Sequence, residues 1–336
     1  MGNNEWNFTN LLPYFRRIET DTDYGGDDFH GGDGPIVMHR FKRETWLPAQ
    51  QAFYTAARAA GYPDCPDHNH PDTYGVGPTP LNNPNGIRIS TAMGYLDQAR
   101  HRLNLTIRPN CLVHRLIFEG NRATGVELES GGETFTVEGE EIILSAGAIG
   151  SPQILLLSGV GPADHLSSLG IPVVLNKPGV GQNLRDHPGV WVTWRTREGF
   201  ELDEQPVLDY RYLEEEFDVR RLREAVRVCV DLGNDEAFKD IIQERVSPTD
   251  EDMESDEALT AWMRREVTTS QHISCTCKMG TADDPMAVVN QYGKVYGLEG
   301  LRIVDASIMP DCIRANTNVT TLAIGEKIAD HIKEGK

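Results

Sequence analysis

Long apolar runs are missing from this sequence. The most hydrophobic stretch, EIILSAGAIGSPQILLLSGVG at residues 141–161, is interrupted by Ser, Gln, Gly and Pro, and so falls short of the roughly 20 apolar residues that carry a helix across a bilayer. No membrane span is expected. Basic residues are also scarce: 32 Lys and Arg stand against 51 Asp and Glu, a formal charge of −19. That balance repels polyanions, which excludes nucleic acid as an expected partner. Cysteine is sparse, with six residues and no dense framework, which predicts reduced thiols rather than a disulfide scaffold. Cys275 and Cys277 are spaced CxC, not the CxxC of most zinc or redox sites. The opening MGNNEWNF has neither a basic region nor an apolar core, and Trp6 stands where a myristoylation signal needs Ser or Thr. The expected location is cytoplasmic. Finally, no GxGxxG occurs: Gly75/Gly77, Gly159/Gly161 and Gly179/Gly181 begin the pattern and fail at its third glycine.

What is present, 39% hydrophobic and 25% charged residues, fits one large globular domain or two interleaved ones. NLLPYFRRIE is a short amphipathic piece, followed by a Gly- and Asp-rich loop at 24–35. One helix is expected from Pro48 to about Ala60 with Gly61 as its stop, and another from a Ser90 cap to about Arg102. Then the period changes to two. NLTIR, CLVHRLIFEG, ATGVELES and TFTVEG read as a small meander, which feeds EIILSAG, a strand continuous enough to predict burial in a mostly parallel sheet. Ser151 and Pro152 are expected at the cap and first position of the helix after it. Acidic residues crowd 201–218 and 250–257, read as solvated helix surface, and 206–267 reads as mostly helical, with Ser255 capping its last helix. The tail returns to a buried strand, LRIVDA, and a helix from about Thr320.

GAIGSPQILLLSGVG at 147–161, a glycine-rich turn before a helix, offers backbone N–H groups to an anion or a polar ring. The full string resembles the second signature of the glucose–methanol–choline (GMC) oxidoreductases, flavoenzymes that oxidise alcohols on FAD. GPADHLSSLGIPVVLNKPGVGQNLRDHP at 161–188 is similar to the segment that follows it. HISCTCKMG, GLEGLRIVDASIMP and ANTNVTTLAIGEKIADHI, between 272 and 332, are similar to the family's C-terminal run, and NGIRISTAMGYL also fits. The resemblance implies an α/β fold: an FAD/NAD(P)-binding-like, incompletely Rossmann-type flavin domain at 1–30, 98–190 and 268–336, interleaved with an α+β substrate domain at 31–97 and 191–267. Three features depart from the family. The fingerprint of the first βαβ unit is not found, and between Phe200 and Gln205 the chain passes over much of the substrate-domain sheet. Cys275 stands where relatives usually have Gly.

Moving hydride from an alcohol to a flavin requires the hydroxyl proton to leave and the growing alkoxide charge to be held. The resemblance implies His272 as proton acceptor and Asn318 as the group that hydrogen-bonds the substrate oxygen. It also implies Val113, Asp305, Ala306, Asn316 and Thr320 as contacts to FAD. Asn318, placed just before the last helix, reads equally as an ordinary N-cap. The expected partner is a small-molecule alcohol, with dioxygen, a quinone or a protein as electron acceptor. The alternative is a non-catalytic family remnant that retains no flavin. The turn DCPDHNHPD at 64–72 gathers Cys65, His68, His70 and three aspartates, but without regular ligand spacing it reads as a polar surface turn, and no metal site is assigned.

Overall fold

A computed structural model describes residues 2–197, 213 and 215–336. The junction expected between Phe200 and Gln205 and most of the 201–218 acidic run lie outside the described residues. The chain folds as two compact units, each assembled from separated stretches. Met1–Ile36, Ile89–His187 and Gln271–Lys336 form the first; Val37–Arg88 and Pro188–Ser270 form the second.

In the first unit, helix α1 (Phe8–Ile18) is capped by the Asn7 side chain and runs into strand β1 (Glu19–Asp21). The alternating segment folds as the expected antiparallel meander, β2 (Leu112–Glu119), β3 (Arg122–Ser130) and β4 (Glu133–Glu138). NLTIR is not part of it. It forms no strand. Strand β5 (Ile142–Leu144) lies parallel to β6 (Leu301–Ile303). All of β6 is buried, whereas Ile143 at the centre of β5 is 46% exposed. The continuous run therefore overstates the burial of β5, which pairs with a single strand in a two-stranded sheet.

The helix after β5 also differs from the sequence expectation. It begins at Gly147 (α2, Gly147–Leu157), so Ser151 and Pro152 lie inside it rather than at its cap. Ser151 turns inward and donates to Asp305 instead. Pro152, the sixth residue of the helix, has no N–H to offer the Ala148 carbonyl, and that carbonyl accepts from the Thr276 hydroxyl at 2.6 Å instead. The short helix α3 (Ala163–Ser168) follows, and the chain closes on α4 (Thr317–Lys333). Leu116, Leu144, Leu155, Val289, Ile303 and Ile328 belong to the core that these elements share. The Ser90 segment is a π-turn over Ala92–Leu96 that passes into one short helical turn at Asp97–Ala99.

In the second unit the helix Pro48–Ala59 starts on its proline as expected. Helices Glu216–Gly233 and Asp256–Glu266 enclose a small core around Val226, Leu259, Trp262 and Met263, and the Ser255 hydroxyl accepts from the Ala258 N–H, 3.0 Å away. The region is less helical than its period implies. Ile242–Ser247 is a strand, antiparallel to Thr193–Thr196. The Cys65 turn uses its polar atoms internally: the Cys65 thiol donates to the Asp67 carbonyl at 3.4 Å, and buried Asp67 pairs with Arg40 at 2.6 Å. All six cysteines are free thiols. Among the described residues no helix is long and apolar enough to cross a membrane.

Candidate active site

The site grows from one extended segment, residues 272–279, held along both edges by backbone hydrogen bonds. On one side Gly181 N–H reaches the Thr276 carbonyl at 2.9 Å, and Arg185 and Ser274 exchange bonds of 3.1 and 2.8 Å. On the other side Cys275, Cys277 and Met279 donate to the carbonyls of Ala306, Ser307 and Ile308 at 3.1, 2.9 and 2.8 Å. A segment fixed on two edges holds its side chains without depending on their own contacts. Cys275 sits in it at φ +73°, completely buried. A non-glycine residue rarely adopts that conformation.

His272 opens the segment. Its backbone N–H donates to Asp186 Oδ1 at 2.8 Å, and the same oxygen accepts from the His187 N–H at 2.8 Å. His187 packs edge-on against the His272 ring, centroids 4.7 Å apart, while its own Nε2 donates to the Ile313 carbonyl at 2.7 Å. Nδ1 of His272 is buried and has no hydrogen-bond partner among the described residues. Burial, reinforced by the neighbouring His187 and opposed by Asp186, holds the His272 pKa below the ordinary imidazole value. These surroundings favour the neutral ring. Asp186 and His187 were not singled out in the sequence, although the RDHP string that contains them was. The signal is an Asp-His pair closing a glycine-rich run, and only folding brings it to a histidine 85 residues further on.

The other sequence-assigned residues divide into two groups. Asp305 and Ala306 lie at the far edge of the same segment, through the Cys275–Ala306 bond. Asp305 is 4% exposed, and its oxygens already accept from Gly147 N–H at 3.0 Å, Ser151 Oγ at 2.5 Å and Ser307 N–H at 2.8 Å. It braces the end of β6 against the start of α2. Asn318 is not a cap: α4 begins at Thr317 with Asn316 as the N-cap, which puts Asn318, exposed, in the first turn. The Asn316 side chain makes no cap bond, so the helix start keeps its partial positive charge unneutralised by that residue. Thr320 is half-buried in the same turn. His187, bonded to Ile313, links the His272 segment to the loop that leads into α4. Val113 stands apart on β2, half-buried opposite Leu128.

An apolar groove of about 300 Å³ lies between α2 and α3, lined by Ile149, Leu156, Leu166, Gly181, Leu184 and Thr276 among others. None of the sequence-assigned residues lines it. His272 lies elsewhere, with a buried ring nitrogen that has no hydrogen-bond partner among the described residues.

These features suit the ring end of a flavin. The exposed Asn318 amide and the uncapped helix start are a donor, an acceptor and a positive potential of the kind that a polar, charge-gaining ring uses. Family profiles described as GMC oxidoreductase match residues 1–189 and 197–325. The oxygen-dependent choline dehydrogenase of Yersinia pseudotuberculosis serotype IB (strain PB1/+) is 35% identical over 427 positions, covering 99% of this chain and 74% of that protein. The corresponding protein of Pectobacterium carotovorum subsp. carotovorum (strain PC1) is 34% identical, with 99% and 75% covered. Because the alignment is longer than the 336 residues here, the relatives carry positions with no counterpart in this chain. Pyridoxine 4-oxidase from Mesorbium loti superposes with a TM-score of 0.89 at 28% identity, over 99% of this chain and 78% of that one. Formate oxidase of Aspergillus oryzae RIB40, at 20% identity and a TM-score of 0.86 over 98% and 79%, shares the fold. With profiles covering both of its halves and relatives matched nearly end to end, the chain belongs to the GMC oxidoreductase family of FAD-dependent enzymes.

Proposed function

We propose that this chain oxidises the CH–OH group of a small alcohol, with His272 as the proton acceptor and Asn318 as the group that holds the substrate oxygen. The carrying observation is the placement of the His272 ring, fixed through its backbone by Asp186 and against its face by His187, in surroundings that favour the neutral form. Bound FAD supplies the two-electron acceptor that takes the hydride from the carbinol carbon. The unit containing His272 is proposed as the flavin domain, and the second unit as the substrate-binding domain.

His272 receives the hydroxyl proton at Nε2, because Nδ1 is sealed from solvent. Proton acceptance needs the neutral ring, which burial favours. The charge that appears on the ring is then met by the Asp186 carboxylate, the neighbour that raises rather than lowers its basicity. Asn318 donates its amide N–H to the substrate oxygen and offsets charge gathering there. The start of α4 favours the negative charge that the cofactor gains. Among possible substrates, choline and pyridoxine are named for the similar proteins and are the first to assay. The test is anaerobic mixing of flavin-loaded protein with each alcohol while the flavin absorbance is followed. Bleaching by either substrate supports the reading, and protein that binds flavin but is bleached by no alcohol contradicts it.

A further inference from the structure

The Gly- and Asp-rich loop after β1 closes on a group that the alcohol chemistry does not use. Glu19 and Asp21 are two apart on β1, so their side chains leave the same face of the strand. His30 is returned to them by the loop, through the Asp21 N–H to Gly31 carbonyl bond of 2.9 Å and the Gly34 N–H to Glu19 carbonyl bond of 3.0 Å. Glycine is required in this closure, since a Cβ on Gly31 would collide with the carbonyls of Arg16 and Glu19. The result is a rigid cluster. His30 Nδ1 lies 2.9 Å from Glu19 Oε1 and 3.3 Å from Asp21 Oδ2, with side chains 2%, 13% and 0% exposed in the order His30, Glu19, Asp21. One ligand atom from each residue falls within 4.8 Å of the other two.

We propose that Glu19, Asp21 and His30 bind one divalent transition-metal ion. The donor set of one imidazole and two carboxylates suits zinc and its neighbours. Metal–ligand bonds of about 2.1 Å in tetrahedral geometry place ligand atoms about 3.4 Å apart, close to the two separations His30 makes here. The ion would fasten the 21–31 loop to β1.

The experiment needs no flavin, so its outcome is separable from the alcohol reading. Chelator-dialysed full-length protein is equilibrated with zinc, freed of excess and measured for metal content, with cobalt(II) as the spectroscopic stand-in. One zinc per chain is expected, together with a rise in the thermal midpoint that saturates at one equivalent. Cobalt should show visible bands without the near-ultraviolet thiolate transition of a cysteine site. Glu19→Gln and His30→Gln should each weaken binding at least about tenfold, while Cys65→Ser leaves it unchanged. If both variants misfold, metal content, saturable stabilisation and cobalt spectrum of the wild type decide. Substoichiometric zinc in folded wild type, a thiolate band, or unchanged affinity in folded variants would overturn the site.

Discussion

Two histidines of the same unit meet opposite environments. His30 is almost fully buried, with Nδ1 gripped by two carboxylates at 2.9 and 3.3 Å. The His272 ring is half-buried, its Nδ1 has no partner, and it is fixed instead through its backbone by Asp186 and through its face by His187. A satisfied imidazole is part of a framework or a ligand set. One positioned through its backbone and ring face suits the proposed role of taking a proton that arrives with a substrate. A third case limits the rule. His331, 3% exposed in the last turn of α4, has both ring nitrogens without hydrogen-bond partners among the described residues and packs edge-on against Tyr292 at 5.0 Å. Orphaned nitrogens mark a reactive site only beside groups that hold substrate or cofactor; elsewhere they are a burden on stability.

The comparison can be broken at several points. The largest effect is expected at His272: His272→Ala should slow alcohol-driven flavin reduction at least about a hundredfold, measured by anaerobic stopped flow, and an unchanged rate removes it from the chemistry. A smaller effect is expected one contact away. Asp186→Asn removes the carboxylate that raises the His272 pKa, so the acid limb of the reduction rate should move to lower pH, with a rate loss of about tenfold from weaker positioning. An acid limb that stays put or moves up contradicts the positioning role.

His331 should act on stability alone. Its folded pKa is depressed, first by burial and then by Lys327 and Lys336, so the folded state binds fewer protons than the unfolded one. Its contribution is thus fully present above about pH 6.5, the ordinary imidazole value, and is lost as pH falls below it. His331→Leu should flatten that acid loss in denaturant titrations and add about 1 kcal/mol near neutrality. A pH dependence identical to wild type contradicts the assignment. The smallest expected effect is at Cys275. Held at φ +73°, it should reverse the usual order, with Cys275→Gly more stable than Cys275→Ala by about 1 kcal/mol. Equal unfolding midpoints would show that the backbone relaxes.

Local pattern carried much of the fold. The period-two stretches became β2, β3 and β4, the proline start and Ser255 cap of two second-unit helices were in place, and β6 was buried as its run of Leu, Arg, Ile implied. Where the reading failed, a non-local contact decided. Ser151 looked like a cap because Asp305, its actual partner, is 154 positions away. NLTIR looked like a strand, but a strand needs a neighbour. The last helix began before its apolar pattern, at Thr317, a polar residue that is buried all the same and so leaves no mark in that pattern. The candidate residues became visible through family-like strings, not periodicity. Asp186 and His187 lay inside such a string without marking themselves, and the two carboxylates of β1 gave no sign that His30 would return to them.

The most direct measurement is the pH dependence of flavin reduction by alcohol, under anaerobic single-turnover conditions, in wild type and His272→Ala. The depressed basicity of His272 predicts a wild-type acid limb centred below about pH 6.5, absent from the slower variant. The same acid limb in both proteins would contradict a proton acceptor at residue 272.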